Sequence, residues 1–224
     1  MLSLSKELVK KTNQIRITEK MTGKMQGFAS LSTSPLFNPL CVKRAKNPNT
    51  ICAHCYSMRM QKMYSALEAK LRINSELLSG SILSAEDFPA INTETRYYKY
   101  FRLEAFGDLI NEIHALNYFT FCNINPETNF TLWTKNPVFI DKAIKRGYEK
   151  PANLTIIFSS PYLNKTAKEI IFDMFPFLDK IFTVYTKEEA KKENIVINCG
   201  AKKCATCLLC YKKNDVKEIN ELLK

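Results

Sequence analysis

Seven of the eight cysteines in this chain fall into two short groups. The first is Cys41, Cys52 and Cys55, a C-x10-C-x2-C arrangement followed by Tyr56, and the second is Cys199, Cys204, Cys207 and Cys210, a C-x4-C-x2-C-x2-C run. A C-x2-C pair brings two thiolates of one turn to the same metal, and four sulfurs complete a zinc site or hold an iron–sulfur cluster. The second run is close to an iron–sulfur spacing with one cysteine added, whereas zinc sites more often separate two pairs by a longer stretch. An iron–sulfur cluster is therefore favoured there, and zinc remains the alternative. Three cysteines leave one coordination position open for a small molecule, and an open position implies chemistry. His54 offers the first group a different ending, a closed Cys3His zinc site. Cys122 lies in an apolar and aromatic stretch and reads as a core thiol.

Other chemistries are poorly served. The six glycines, at 23, 27, 80, 107, 147 and 200, form neither G-x-G-x-x-G nor G-x-x-x-x-G-K-[ST]. His54 and His114 are the only imidazoles, and neither H-E-x-x-H nor G-x-S-x-G occurs. Whatever reactivity the chain has should centre on cysteine.

The elements that must position these groups are legible in the apolar pattern. Runs rich in β-branched and aromatic residues predict strands at 27–33, 98–104, 129–134, 153–159, 180–186 and 194–198. Helical periodicity predicts one long helix over 57–79 and shorter ones at 109–117, 137–146, 165–174 and 215–223, the last opened by Asn214 or Asp215 as N-cap. Residues 80–96 read as an irregular insertion. Strand and helix in alternation argue a parallel α/β sheet over 1–198, with a cysteine-bearing appendage at 199–224 packed into one compact unit. In such sheets functional groups gather where strands end at their C-terminal edge. That edge should carry Gly107 and Asp108, Lys135, Ser160 and both cysteine groups.

At 224 residues the chain is long enough for one substantial core. No apolar run approaches the ~20 residues of a bilayer crossing, and Met1 to Lys11 lack the apolar stretch of a signal peptide. The expectation is a cytoplasmic protein with reduced thiols. The formal charge of +11 is concentrated beside the cysteines. Residues 41–72 carry seven cations against Glu68 alone, and 199–213 carry Lys202, Lys203, Lys212 and Lys213 with no acid. Tyr56, Tyr64 and Tyr211 are interleaved with them. This pattern suits either a nucleic-acid or acidic-protein partner or local compensation of thiolate-bound metal.

The segments Cys41–Tyr56, Phe101–Asp108, Leu132–Lys135, Asn153–Ser160 and Cys199–Cys210 together resemble the phage gene product 88 family, which in turn looks like a shortened, divergent relative of radical S-adenosylmethionine enzymes. The resemblance implies a partial (β/α)6 barrel. It implies a [4Fe-4S] cluster on Cys41, Cys52 and Cys55 whose open iron binds S-adenosylmethionine, and an auxiliary cluster on the C-terminal cysteines. Gly107-Asp108 would stand where that superfamily has a Gly-Gly-Glu-like motif contacting the cofactor's amino group. Thr134, Lys135, Ser159 and Ser160 would face the same cavity. The chain departs from the pattern in three places: the first cysteine gap is ten residues instead of three, His54 replaces an aromatic residue, and one glycine precedes Asp108. The implied function is a radical enzyme acting on a host or phage macromolecule. The competing expectations are a metal-stabilised phage inhibitor without turnover and a zinc-stabilised nucleic-acid-binding protein.

Overall fold

The computed structural model describes residues 14–166, 168–200 and 203–223, so the reading of Met1–Lys11 and the cation Lys202 lie outside the described residues. Six strands, β1 (Ala29–Leu31), β2 (Tyr100–Leu103), β3 (Asn129–Thr134), β4 (Leu154–Ser159), β5 (Lys180–Tyr185) and β6 (Glu218–Leu222), form one sheet in chain order. Every neighbouring pair is parallel. The sheet is open, with β1 and β6 at its two edges.

Parallel strands in sequential order, joined by crossovers of one hand, place all their helices on one face. The register shows what this does to the side chains. Leu31, Leu103, Leu132 and Ile156 form one row across four strands, all at most fractionally exposed, and belong to the apolar core. Ser30, Arg102, Thr131 and Thr155, one residue earlier in each strand, form the opposite row. Strand periodicity of two thus separates an apolar outer face from a polar inner one.

The outer face is covered by α3 (Ser65–Gly80), α4 (Glu112–Asn123), α5 (Val138–Lys145) and α6 (Lys168–Met174), through residues such as Leu78, Phe121, Ile140 and Ile171. Helix α4 is buried on almost every side and carries Phe121 against Phe101 and Phe130, with Tyr118 and Phe119 also buried. Each such side chain contributes roughly 1.5–3 kcal/mol by leaving water. Cys122 is fully buried in this core. The remaining helices are α1 (Pro39–Ala45), α2 (Tyr56–Met63), α7 (Lys187–Lys192) and α8 (Cys204–Cys207).

The mixed α/β class and the first five strands stand as expected, and three predicted elements differ. The predicted strand 194–198 is irregular: Asn198 and Cys199 donate their backbone N–H to the carbonyl of Asn220, so they run beside β6 without joining the sheet. The predicted helix 215–223 is instead β6, paired with β5 from Ile181–Glu218 to Tyr185–Leu222. Its Val216, Ile219 and Leu223 spacing fits a helix, but the free edge of β5 decides the outcome. The predicted helix 57–79 is two helices, broken where Tyr64 turns extended at φ −126° and ψ 96°. The stretch 80–96 remains irregular yet supplies Phe88 and Ile91 to the core.

Candidate metal-binding cavity

The inner face of the sheet borders a cavity of about 540 Å³, and both cysteine groups line it. Cys41, Cys52 and Cys55 stand at one end, and Cys199, Cys204 and Cys210 at the other. Cys207 lies in a small adjoining recess that shares Cys199, Cys204 and Cys210. Gly107, Asp108, Lys135 and Ser159 also line the main cavity, whereas Thr134 and Ser160 are buried behind it.

Buried polar contacts fix the first end. Asn38 caps α1 by accepting from the Leu40 N–H (3.0 Å), and its amide donates to the carbonyls of Asp108 (2.9 Å) and Leu109 (3.0 Å). That cap sets the direction of the helix carrying Cys41. The turn carrying Cys52 and Cys55 is held by the Ile51 N–H on the Pro161 carbonyl (2.9 Å) and by the Tyr56 hydroxyl on the Ala105 carbonyl (2.5 Å).

Asp108 clasps two strand ends together. Its carboxylate accepts from the Thr134 hydroxyl (2.6 Å), the Lys135 N–H (2.9 Å) and the Leu109 N–H (2.8 Å). Lys135 Nζ in turn donates to Ser159 Oγ (3.1 Å), linking β3 to β4. Thr134 thus acts through Asp108, while Ser160 Oγ donates to the Lys165 carbonyl (2.7 Å) and shapes the loop after β4. Gly107 has φ +75°, and a Cβ there would lie 2.6 Å from the Thr33 carbonyl and 2.8 Å from Glu104 Oε2. Only glycine fits this turn.

Beneath Gly107 lies a network absent from the sequence reading. Glu104, itself left-handed at φ 56°, accepts from Thr33 Oγ1 (2.9 Å) and Tyr118 Oη (2.6 Å), and His114 Nε2 stands 3.3 Å from it. The His114 Nδ1 accepts the Ile110 N–H (3.2 Å), which leaves the proton on Nε2, close to Glu104 but without a hydrogen-bond partner. Burial pushes Glu104 up to about 8 and His114 down to about 3, so this centre holds a neutral imidazole. The sequence did contain a signal. Arg102 and Glu104 alternate with the apolar Phe101 and Leu103 in a strand-forming run, which marks both charges as unusual, although the left-handed turn at Glu104 sends its side chain to Tyr118 and His114 instead of the inner face.

The second end is held by aromatic packing. Tyr211 is almost fully buried, with its ring centroid 4.4 Å from Phe28 and 5.7 Å from Trp133. Thr131 donates to the Cys210 carbonyl (3.3 Å), and Lys180 Nζ reaches Asn214 Oδ1 (2.6 Å) and the Val216 carbonyl (3.0 Å). Helix α8 is a single turn ended by Leu208 at φ 53°.

Thiols in both groups are shifted in the same direction. Burial pushes Cys41 and Cys52 up, the neighbouring Asp108 adding to the rise while Lys135 opposes it. Burial raises Cys199 and Cys204 and pushes Cys210 up to about 12. Thiols shifted in this direction hold their protons at neutral pH, and a metal binding there would have to displace them. The donor set fits a thiophilic group: seven sulfurs lie around one cavity and its recess, and His54 is exposed and outside the lining. Among the described residues no three His, Cys, Asp or Glu side chains close around a single ion. The sulfurs are arrays bordering open space.

The cations predicted to form a basic surface divide. Lys43, Lys46, Arg59 and Lys62 are exposed, and no ion pair involves them among the described residues. Lys70 instead turns inward to the Ile17 carbonyl (2.9 Å) and Thr18 Oγ1 (2.6 Å). Among the described residues no helix is long and apolar enough to cross a membrane.

A family model described as gene product 88 matches residues 4–220. That match does not extend to radical S-adenosylmethionine enzymes, and neither the curated proteins nor the solved structures give a match.

Proposed function

The chain belongs to the gene product 88 family, and we propose from its cavity that it is an iron–sulfur protein of the radical S-adenosylmethionine type, with a three-cysteine open site and a four-cysteine auxiliary site. One observation carries this reading. Two cysteine groups separated by more than 140 residues of chain border a single cavity at the inner face of an all-parallel sheet. Two structural zinc sites could stabilise separate parts of the chain without sharing a cavity.

Cys41, Cys52 and Cys55 would hold the open cluster, and Cys199, Cys204, Cys207 and Cys210 the closed one. When bound, an open [4Fe-4S] cluster supplies one electron for reductive cleavage of S-adenosylmethionine. The chain's own residues do the positioning. Asp108 locks the ends of β2 and β3, Gly107 lets the turn approach Thr33, and Lys135 with Ser159 presents a cation and a hydroxyl to the bound molecule. The Asp108 carboxylate has three donors already, and a substrate ammonium would take a remaining lone pair.

Anaerobic isolation with iron, sulfide and zinc analysis tests the reading, followed by an assay for 5′-deoxyadenosine under strong reductant. About eight irons per chain and release of 5′-deoxyadenosine are expected. One or two zincs without iron would overturn it, and an iron-loaded protein giving no 5′-deoxyadenosine would remove the catalytic part. The exposed, unpaired Lys43, Lys46, Arg59 and Lys62 favour a second reading, a metal-stabilised protein that docks this basic face on nucleic acid or an acidic protein. Binding that persists without 5′-deoxyadenosine formation and weakens when these four are changed to alanine would select it.

A further inference from the structure

The Arg102 guanidinium lines the cavity and pairs with no carboxylate among the described residues. Arg102 projects from β2 between the core residues Phe101 and Leu103, onto the inner face. Its guanidinium carbon lies 3.9 Å from the Trp133 ring centroid on the adjacent strand. Its Nη1 stands 3.7 Å from Met25 Sδ, which also accepts from the Tyr211 hydroxyl (3.5 Å). Its Nε is buried and has no hydrogen-bond partner.

The other cations on the wall differ. Lys24 pairs with Glu221 (3.0 Å), and Lys135 donates to Ser159. A buried donor without an acceptor is costly, and the unpartnered Arg102 Nε leaves the guanidinium ready for a ligand. Stacking on Trp133 occupies the guanidinium's face and leaves its edge for in-plane hydrogen bonds. An arginine edge matches the two oxygens of a carboxylate.

We propose that Arg102 binds a carboxylate of the substrate, with Nε as one donor, and holds that substrate in the cavity between the two cysteine groups. This rests on the reading of the cavity as the reactive site. The substrate class is then a molecule or peptide bearing a free carboxylate.

The test uses Trp133, the sole tryptophan. The full-length protein, metal-free after chelation, is titrated with acetate, succinate and inorganic phosphate at constant ionic strength, following tryptophan emission. Calorimetry repeats the titration on the anaerobically isolated protein, and circular dichroism confirms that Arg102→Met and Arg102→Lys keep the fold. Saturable binding of the carboxylates is expected, weakened at least about tenfold in Arg102→Met and less in Arg102→Lys, with iron content unchanged. Absence of saturable carboxylate binding overturns the proposal, as does saturation by phosphate alone. So does an Arg102→Met variant that binds carboxylate normally but loses iron from the C-terminal group, since the guanidinium would then serve the metal. Iron content and 5′-deoxyadenosine release are measured separately, so a failed carboxylate site leaves a distinct signature from a failed enzyme reading.

Discussion

The two ends of the cavity carry the same element and are built by opposite means. At the Cys41, Cys52 and Cys55 end, the supports are buried hydrogen bonds with defined donors and acceptors: the Asn38 cap, the Asp108 clasp and the Glu104 network. At the Cys199–Cys210 end, the support is mainly the Tyr211 ring packed among Phe28, Tyr100 and Trp133, together with one turn of helix. Hydrogen bonds fix direction as well as distance, whereas ring packing excludes water but tolerates sliding. The first end is therefore a frame formed by the fold itself, and on the proposed reading the second draws more of its order from a bound metal.

The sharpest way to break this comparison is to remove ligands one group at a time. Cys55→Ala should lower iron from about eight to about four per chain, and Cys204→Ala should do the same from the other side. If either variant loses all its iron, the two groups form one site and the contrast fails. Supports come next. Asp108→Ala strands three donors at the first end and should lower stability by about 2–4 kcal/mol in urea unfolding. Tyr211→Ala removes a buried ring and should cost about 3 kcal/mol, with iron lost from the C-terminal group alone. If Tyr211→Ala instead empties the three-cysteine site, aromatic packing supports both ends.

The smallest effect is a pH dependence confined to the first end. His114 is pushed down to about 3 from an ordinary 6.5, so its share of stability is lost as pH falls through that window, by about 2 kcal/mol at pH 5. Glu104, raised to about 8, runs the other way: its contribution grows as pH falls from 8 towards 4.5. In wild type the two oppose each other where their windows overlap. In His114→Gln the urea midpoint should rise as pH falls from 7 to 5, and an unchanged profile would remove the imidazole from this account.

Much of the molecule was legible from the chain because the signals are local. Strands β2 to β5 alternate or run apolar over four to seven residues, and the cysteine spacings are fixed within single turns. The exchange of the predicted strand at 194–198 for β6 at 218–222 was not legible, because both segments have the composition to pair and only one edge of β5 is free. The break at Tyr64 carries no Gly or Pro to announce it.

The sequence by itself determined the parallel α/β class and the stretches of chain that carry the two cysteine groups. These depend on residue type and on periods of two and of about 3.6, which short segments express alone. Only the tertiary structure decided that both cysteine groups face one cavity, that Asp108 is held by the end of β3, and that Arg102 lies against Trp133 with an unpartnered Nε. Those facts are set by strand register and by contacts between segments tens to more than a hundred residues apart, where the energy of packing the whole sheet outweighs any local preference.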